Sequence, residues 1–256
     1  MPLDRLSLAT TPAVQFFNDR QLGDATGFVW KRNERYYFIT NWHVVSGLNF
    51  FTKMHLLKGG SRPNKLRCHF IIRVGDYGRE IIDLPIRNEN DEPLWLIHPL
   101  QEKRAIDIVA LPLNHADLKT RVTLLPVNEL APAKIAIMIG MDVFILGYPF
   151  GAELPSFPVW KRGSIASEPD LVHLTTGYYL VDTASRPGMS GSPVILRSWS
   201  NHIPESSNWT INNDNRPVDR IIGVYSGRKI PTDAQIGLVW HVDYIDEIID
   251  VGKLDT

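Results

Sequence analysis

The sequence predicts an all-β fold, and three observations carry that expectation. Short runs rich in Val, Ile, Phe, Tyr and Trp recur along the chain, turn residues separate them at close spacing, and no regular alternation of helix and strand patterns appears. The runs are VQFF, TGFVW, YYFIT, RCHFIIR, PLWLI, DIVALPL, DVFILGY, YYLVD, SPVIL, RIIGVYS and IGLVWHV. Between them stand Gly23-Asp24, Gly59-Gly60, Gly75-Asp76, Asn88-Glu89-Asn90-Asp91 and Gly151, residue types that let the backbone reverse with little strain.

Two stretches read as helical. VVSGLNF, just after His43, can form a single turn, and a C-terminal helix is expected over about 242–250. There Val242, Ile245, Ile248 and Ile249 share one face and Asp243, Asp246, Glu247 and Asp250 the other. The segment 116–134, with Leu124-Leu125-Pro126 and Ala131-Pro132-Ala133, reads as a crossing between halves. A first barrel is expected over about 10–125 and a second over about 135–241, both within one domain spanning 1–256. The polar, Asn-rich stretch 198–219 is too long for a hairpin and reads as a surface excursion.

The composition narrows the function. The 256 residues are 44% hydrophobic and 21% charged, within the range of globular chains that fold unaided. With 27 basic and 28 acidic side chains the net charge is -1, so no global field favours nucleic acid or an anionic membrane surface. No run is long and apolar enough to read as a membrane-spanning helix. Cys68 is the only cysteine and has no intrachain partner, which favours a reducing compartment. A basic n-region followed by an apolar core is not visible near the N-terminus, and a cytoplasmic location is the expectation. No His-Glu-x-x-His or paired Cys-x-x-Cys spacing occurs, so neither metal nor cofactor is expected.

The chemistry concentrates in three places. Arg186-Pro187-Gly188-Met189-Ser190-Gly191-Ser192-Pro193 joins two strand-like runs and sets a serine between glycines. Such a loop can present a nucleophile and aim the Gly188 and Ser190 N–H groups at a developing oxyanion. Taken alone, it would serve equally as a hairpin turn. Serine needs a neighbouring base, and His43 differs from the other histidines in closing the run YYFITNW, at a strand end where an imidazole can face a cleft. Asp107 opens the apolar run DIVALPL, where a carboxylate is unfavourable unless paired, and His43 would supply the partner. Asp182, on the strand leading to Ser190, is the competing carboxylate and reads as local structure.

Together these stretches resemble the chymotrypsin-like serine peptidases, in motif style closest to the high-temperature-requirement (Deg) proteases and bacterial trypsin-like peptidase domains. ATGFVW with YYFITNWHVV is similar to the strand pair leading to the family histidine, AIDIVALPL to its aspartate strand, and DVFILGYPFG to the turn opening its second barrel. DTASRPGMSGSPV is similar to the nucleophile loop, and IIGVYSG and IGLVWHVDYIDEII to the strands and helix that follow.

The resemblance implies two packed six-stranded Greek-key barrels and a serine endopeptidase working through His43, Asp107 and Ser190 and an acyl-enzyme. It implies an oxyanion hole at Gly188 and Ser190, a hydrogen bond from Ser226 to Asp107, and a polypeptide substrate. That substrate would pair with the backbone of Ser226, Gly227 and Arg228, in a pocket walled by Ala184, Ser185, Tyr225, Ser226 and Gly237 to Val239. No acidic residue falls at the pocket base, so a small or medium uncharged P1 residue is expected. Met189 stands where digestive members carry an aspartate, so activation by capture of a new N-terminus is not expected. The alternative is a catalytically silent protein of this fold that binds a peptide or partner without cutting.

Overall fold

The structure, a computed structural model, describes residues 3–73, 76–114, 118–151, 157–172, 176–184, 186–199, 204–205, 217–228 and 234–255. The N-terminal half holds seven strands: β1 (Thr10–Phe17), β2 (Arg20–Arg32), β3 (Arg35–Thr40), β4 (Lys65–Arg73), β5 (Asp76–Pro85), β6 (Leu96–Ile97) and β7 (Val109–Pro112). They form one antiparallel sheet in the order β5-β4-β1-β2-β3-β7-β6. The C-terminal half holds β8 (Asp142–Gly147), β9 (Val159–Ile165), β10 (Tyr178–Asp182), β11 (Pro193–Ser198), β12 (Val218–Arg228) and β13 (Ile236–His241). These close into a six-stranded barrel in the order β10-β13-β12-β11-β8-β9.

The all-β class and the six-stranded second barrel follow the sequence expectation; among the described residues the first half forms a seven-stranded sheet. Two strands were not legible. In β5, Arg79, Glu80 and Asp83 interrupt the apolar residues, and Ile81 faces solvent at 56% exposure. In β9, Lys161, Arg162 and Gly163 interrupt the apolar run, and Arg162 is held by Asp142 of β8 at 2.6 Å. Strand β6 keeps only two residues of PLWLI. Its Leu96 bridges β7 on one side and Leu254 of the chain's end on the other.

Alternation places the cores. Leu66, Cys68 and Phe70 of β4 point inward and the residues between them are less buried, giving Cys68 its complete burial. Burial pushes the Cys68 thiol up, so it is an inert packing group. One apolar cluster runs through the first half and under the C-terminal helix; a second fills the closed barrel. The crossing between halves carries two single-turn helices, Leu118–Arg121 and Val127–Leu130. It is tied to the second barrel by Ala133 N–H to Asp219 O at 3.0 Å.

Helix α1 (Arg5–Ala9) precedes β1, α2 (Trp42–Ser46) follows β3, and the C-terminal helix runs Asp243–Val251, one residue later than the sequence suggests. Its Tyr244, Ile245, Ile248 and Ile249 are buried, whereas Val242 caps it from outside. The opposite face is bonded rather than simply solvated. Asp246 accepts from Trp30 Nε1 at 2.9 Å and pairs with Arg32 at 3.0 Å, while Asp250 pairs with Arg32 at 2.7 Å. Each exposed pair contributes about 0–1 kcal/mol, so the apolar face does most to hold the helix on the N-terminal half.

Candidate active site

Helix α2 begins where β3 ends. Asn41, its N-cap, makes no capping bond to the helix; its Nδ2 donates instead to the Asp107 carbonyl at 2.7 Å. The first-turn N–H of His43, a donor with no intrahelical acceptor, is met by Asp107 Oδ1 at 2.8 Å. Asp107 Oδ2 lies 2.6 Å from His43 Nδ1 and also accepts from the Ser226 hydroxyl. The carboxylate is 0% exposed and His43 16%. Burial of a lone charge would be strongly unfavourable, so the convergence of three donors on Asp107 is what the sequence, DIVALPL, requires. Asn41 was not foreseen; an amide inside the apolar context FITNWHVV was its signal.

The loop that carries Ser190, the candidate nucleophile, is locked by glycines. Met189 N–H closes a turn on Arg186 O at 3.3 Å, with Pro187 and Gly188 at its corners and Gly188 at φ 91°. Thr26 Oγ1 donates to Gly188 O at 2.8 Å, and Thr26 N–H donates to Ser190 O at 2.8 Å. Gly191, at φ 85°, donates to Tyr225 O at 2.8 Å, and a methyl at Gly191 would run into Thr26 O and Thr40 Oγ1. The Gly188 and Ser190 N–H groups have no acceptor among the described residues. Replacing Gly191 by alanine should destabilise the fold by at least about 1–2 kcal/mol from the left-handed backbone alone. Urea unfolding checks this, and an unchanged midpoint would contradict the crowding described.

The two parts meet through shared neighbours. Ser226 bonds Asp107, and the adjoining Tyr225 carbonyl anchors Gly191. Thr40, at the end of the strand leading to His43, donates to Thr26 O at 2.8 Å, and Thr26 in turn holds Ser190. The first half thus supplies His43 and Asp107 and the second supplies Ser190 and Ser226. No hydrogen bond joins Ser190 Oγ to His43 Nε2 in this structure.

The trypsin-like peptidase domain family matches residues 25–200, well over half of the sequence. The chain belongs to that family. Membership makes it a serine-type endopeptidase, a hydrolase. Solved structures with the same fold include the active form of the Rv3671c protease of M. tuberculosis, at 17% identity and TM-score 0.52, covering 98% of this chain and 84% of that one. A serine endoprotease from Yersinia pestis aligns at 13% identity and TM-score 0.51, covering 96% of this chain and 62% of that one. A Glu endopeptidase aligns at 14% identity and TM-score 0.50, covering 96% and 91%. No curated protein matches the sequence.

The residues expected to wall the substrate pocket of this trypsin-like peptidase lie in different settings. Tyr225 is 0% exposed and belongs to the core of the closed barrel, so its side chain walls no pocket. Its ring lies where a Cβ on Gly237 would meet it at 2.5 Å, because residues of β12 and β13 that point inward share that interior. Ser185 lies outside the described residues. Ala184 is exposed, but it lines a small cavity of about 180 Å³ with Pro149, Phe150, Val159, Lys161, Arg186 and Met189, beside the nucleophile loop. Asp182 is exposed at the end of β10, whereas Asp107, the partner of His43, is buried. Met189 is 1% exposed within the barrel core, and its burial contributes about 1.5–3 kcal/mol to seating the peptidase's nucleophile loop. Among the described residues no cluster of His, Cys, Asp and Glu could hold a metal ion, and no helix is long and apolar enough to cross a membrane.

Proposed function

We propose that the peptidase hydrolyses polypeptides with Ser190 as nucleophile, His43 as general base and acid, and Asp107 as the group that orients and charges His43. The observation that carries this reading is the seat of His43: its N–H and its Nδ1 both meet one buried carboxylate, at 2.8 and 2.6 Å. A proton held on Nδ1 by Asp107 leaves the Nε2 lone pair to accept the Ser190 hydroxyl proton. Catalytic hydrogen bonds that are long in the free enzyme tighten when substrate fills the cleft, and the Ser190–His43 bond forms at that stage. Ser190 Oγ then attacks the carbonyl carbon, and the Gly188 and Ser190 N–H groups receive the oxyanion. His43 passes its proton to the leaving amine, and water drawn into its place loses a proton to His43 as it attacks the acyl-enzyme.

The edge of β12 supports binding of an extended chain. Strand β11 pairs with β12 only as far as Val224, so beyond it the backbone of Ser226 and Gly227 runs past the nucleophile loop with β13 on its other side. A substrate strand can add to that edge. With Tyr225 filling the barrel interior behind it, the site suits a small side chain before the scissile bond.

Ser226 tunes the machinery rather than performing it. Ser226→Ala leaves Asp107 both His43 bonds and removes one donor to a charged group, so activity should fall about tenfold with KM little changed. A drop as large as that of a triad residue would give Ser226 a different role. The function itself is tested by incubating the protein with an unstructured polypeptide and reading new termini by mass spectrometry, with and without chelator. Internal cleavage insensitive to chelator is expected. Tight binding without any cleavage would favour a silent peptide-binding protein.

A further inference from the structure

A charged anchor that the proposed reaction does not use lies behind the helix carrying His43. After Gly252 the chain returns to the N-terminal half and pairs with β6, Leu254 opposite Leu96, with Ile97 N–H to Lys253 O at 2.8 Å and Asp255 N–H to Trp95 O at 3.3 Å. Asp255 Oδ2 then accepts from two indoles, Trp42 Nε1 at 2.8 Å and Trp95 Nε1 at 3.0 Å. Both rings are buried, at 6% and 1% exposure. Trp42 is the first residue of α2 and the covalent neighbour of His43. Lys53 Nζ sits 4.1 Å from the centroid of the Trp42 ring, which fixes the face of the indole as Asp255 fixes its edge.

Helix α2 is five residues long and lacks a side-chain cap, so it has little cooperative stability of its own and takes its angle from its anchors. On one side those anchors are the Asn41 and His43 bonds to Asp107; elsewhere Gln15 Nε2 donates to the Val44 carbonyl, and Trp42, with Lys53 over its ring, makes a charge-assisted bond to Asp255. We infer that Asp255 is a positioning residue that sets the angle of α2, and with it the seat of His43 on Asp107, through the indole of Trp42. The inference rests on His43 acting as the base. Without Asp255 the buried Trp42 N–H loses its acceptor, the ring turns to find another, and the helix turns with it. Trp95 is the internal control: it uses the same carboxylate oxygen but has no covalent link to His43.

The test compares Asp255→Ala, Asp255→Asn, Trp42→Phe, Trp95→Phe and the Trp42→Phe/Asp255→Ala pair in the full chain. Three readouts are taken: the rate at which a fluorophosphonate labels Ser190, the thermal midpoint, and the low-field proton resonance of His43 Nδ1–H. Asp255→Ala and Trp42→Phe should each slow labelling about tenfold and shift or broaden the resonance, because small displacements of a base weaken proton transfer steeply. The pair should be no slower than Asp255→Ala alone, and Asp255→Asn, which keeps an acceptor oxygen, should recover part of the rate. Trp95→Phe should lower the midpoint while labelling and resonance stay as in the wild type. Equal behaviour of Trp42→Phe and Trp95→Phe, or wild-type labelling by Asp255→Ala, would overturn the inference. If the wild type itself does not label, the nucleophile assignment fails, and the resonance still decides the positioning role: unchanged in Asp255→Ala, it overturns that role as well.

Discussion

Ser190→Ala should reduce kcat/KM by about 10⁴–10⁶ while leaving the fold intact. The contrast between those two effects is what makes the variant informative. The contacts that hold residue 190 are made by backbone: its carbonyl accepts Thr26 N–H at 2.8 Å, and the next N–H donates to Tyr225 O at 2.8 Å. Its hydroxyl bonds nothing among the described residues, so alanine preserves the loop and leaves no buried polar group stranded. In the proposed mechanism the lost hydroxyl is the atom that forms the acyl bond, and only the oxyanion donors and substrate binding would remain to accelerate attack by water. Hydrolysis of a quenched peptide, with thermal melting run in parallel, reads both quantities. Activity within about tenfold of the wild type would remove Ser190 from the reaction.

Asp107→Asn should cost about 10⁴ in kcat with a smaller effect on KM. The aspartate accepts His43 N–H on Oδ1 and faces both His43 Nδ1 and Ser226 on Oδ2. An asparagine keeps one acceptor oxygen and puts an NH₂ at the other position. If the oxygen keeps the His43 N–H, the NH₂ faces Nδ1 and imposes the opposite tautomer, so Nε2 carries the proton and cannot take one from Ser190. The Ser226 hydroxyl can turn to find another acceptor, but the buried site loses its charge-assisted bonds. Stability should therefore fall by about 1–3 kcal/mol without unfolding the protein. The pH profile separates the mechanisms: a tautomer fault should be relieved at high pH, where an anionic imidazole or hydroxide substitutes for the missing base. A variant with near-wild-type turnover at neutral pH would make the buried carboxylate purely structural.

Much of this site was legible because each of its groups must solve a local problem that sequence exposes. An aspartate at the mouth of DIVALPL needs donors, and the structure supplies three. A serine flanked by Gly188 and Gly191 needs left-handed backbone, and both glycines have it. The hydrogen bond expected from Ser226 to Asp107 is present.

What was hidden depends on contacts between distant segments, which periodicity does not encode. Thr26 holds the nucleophile loop through Gly188 O and Ser190 O, from a strand more than a hundred residues away. Tyr225 reads as a pocket wall beside Ser226, yet its side chain is fully buried in the barrel core. Strands β5 and β9 carry charge on faces that meet solvent or ion-pair partners, so no continuous apolar run announces them. Asp255 looks like one more acid in a polar tail until the fold brings both indoles to it.

The account turns on whether Ser190 is an activated nucleophile, and labelling with a fluorophosphonate followed by peptide mapping measures that directly. A single adduct on Ser190, formed by the wild type and absent from Ser190→Ala and Asp107→Asn under the same exposure, is the predicted result. Folded wild-type protein that takes no adduct on Ser190, or that labels equally well when Asp107 is replaced, would contradict it.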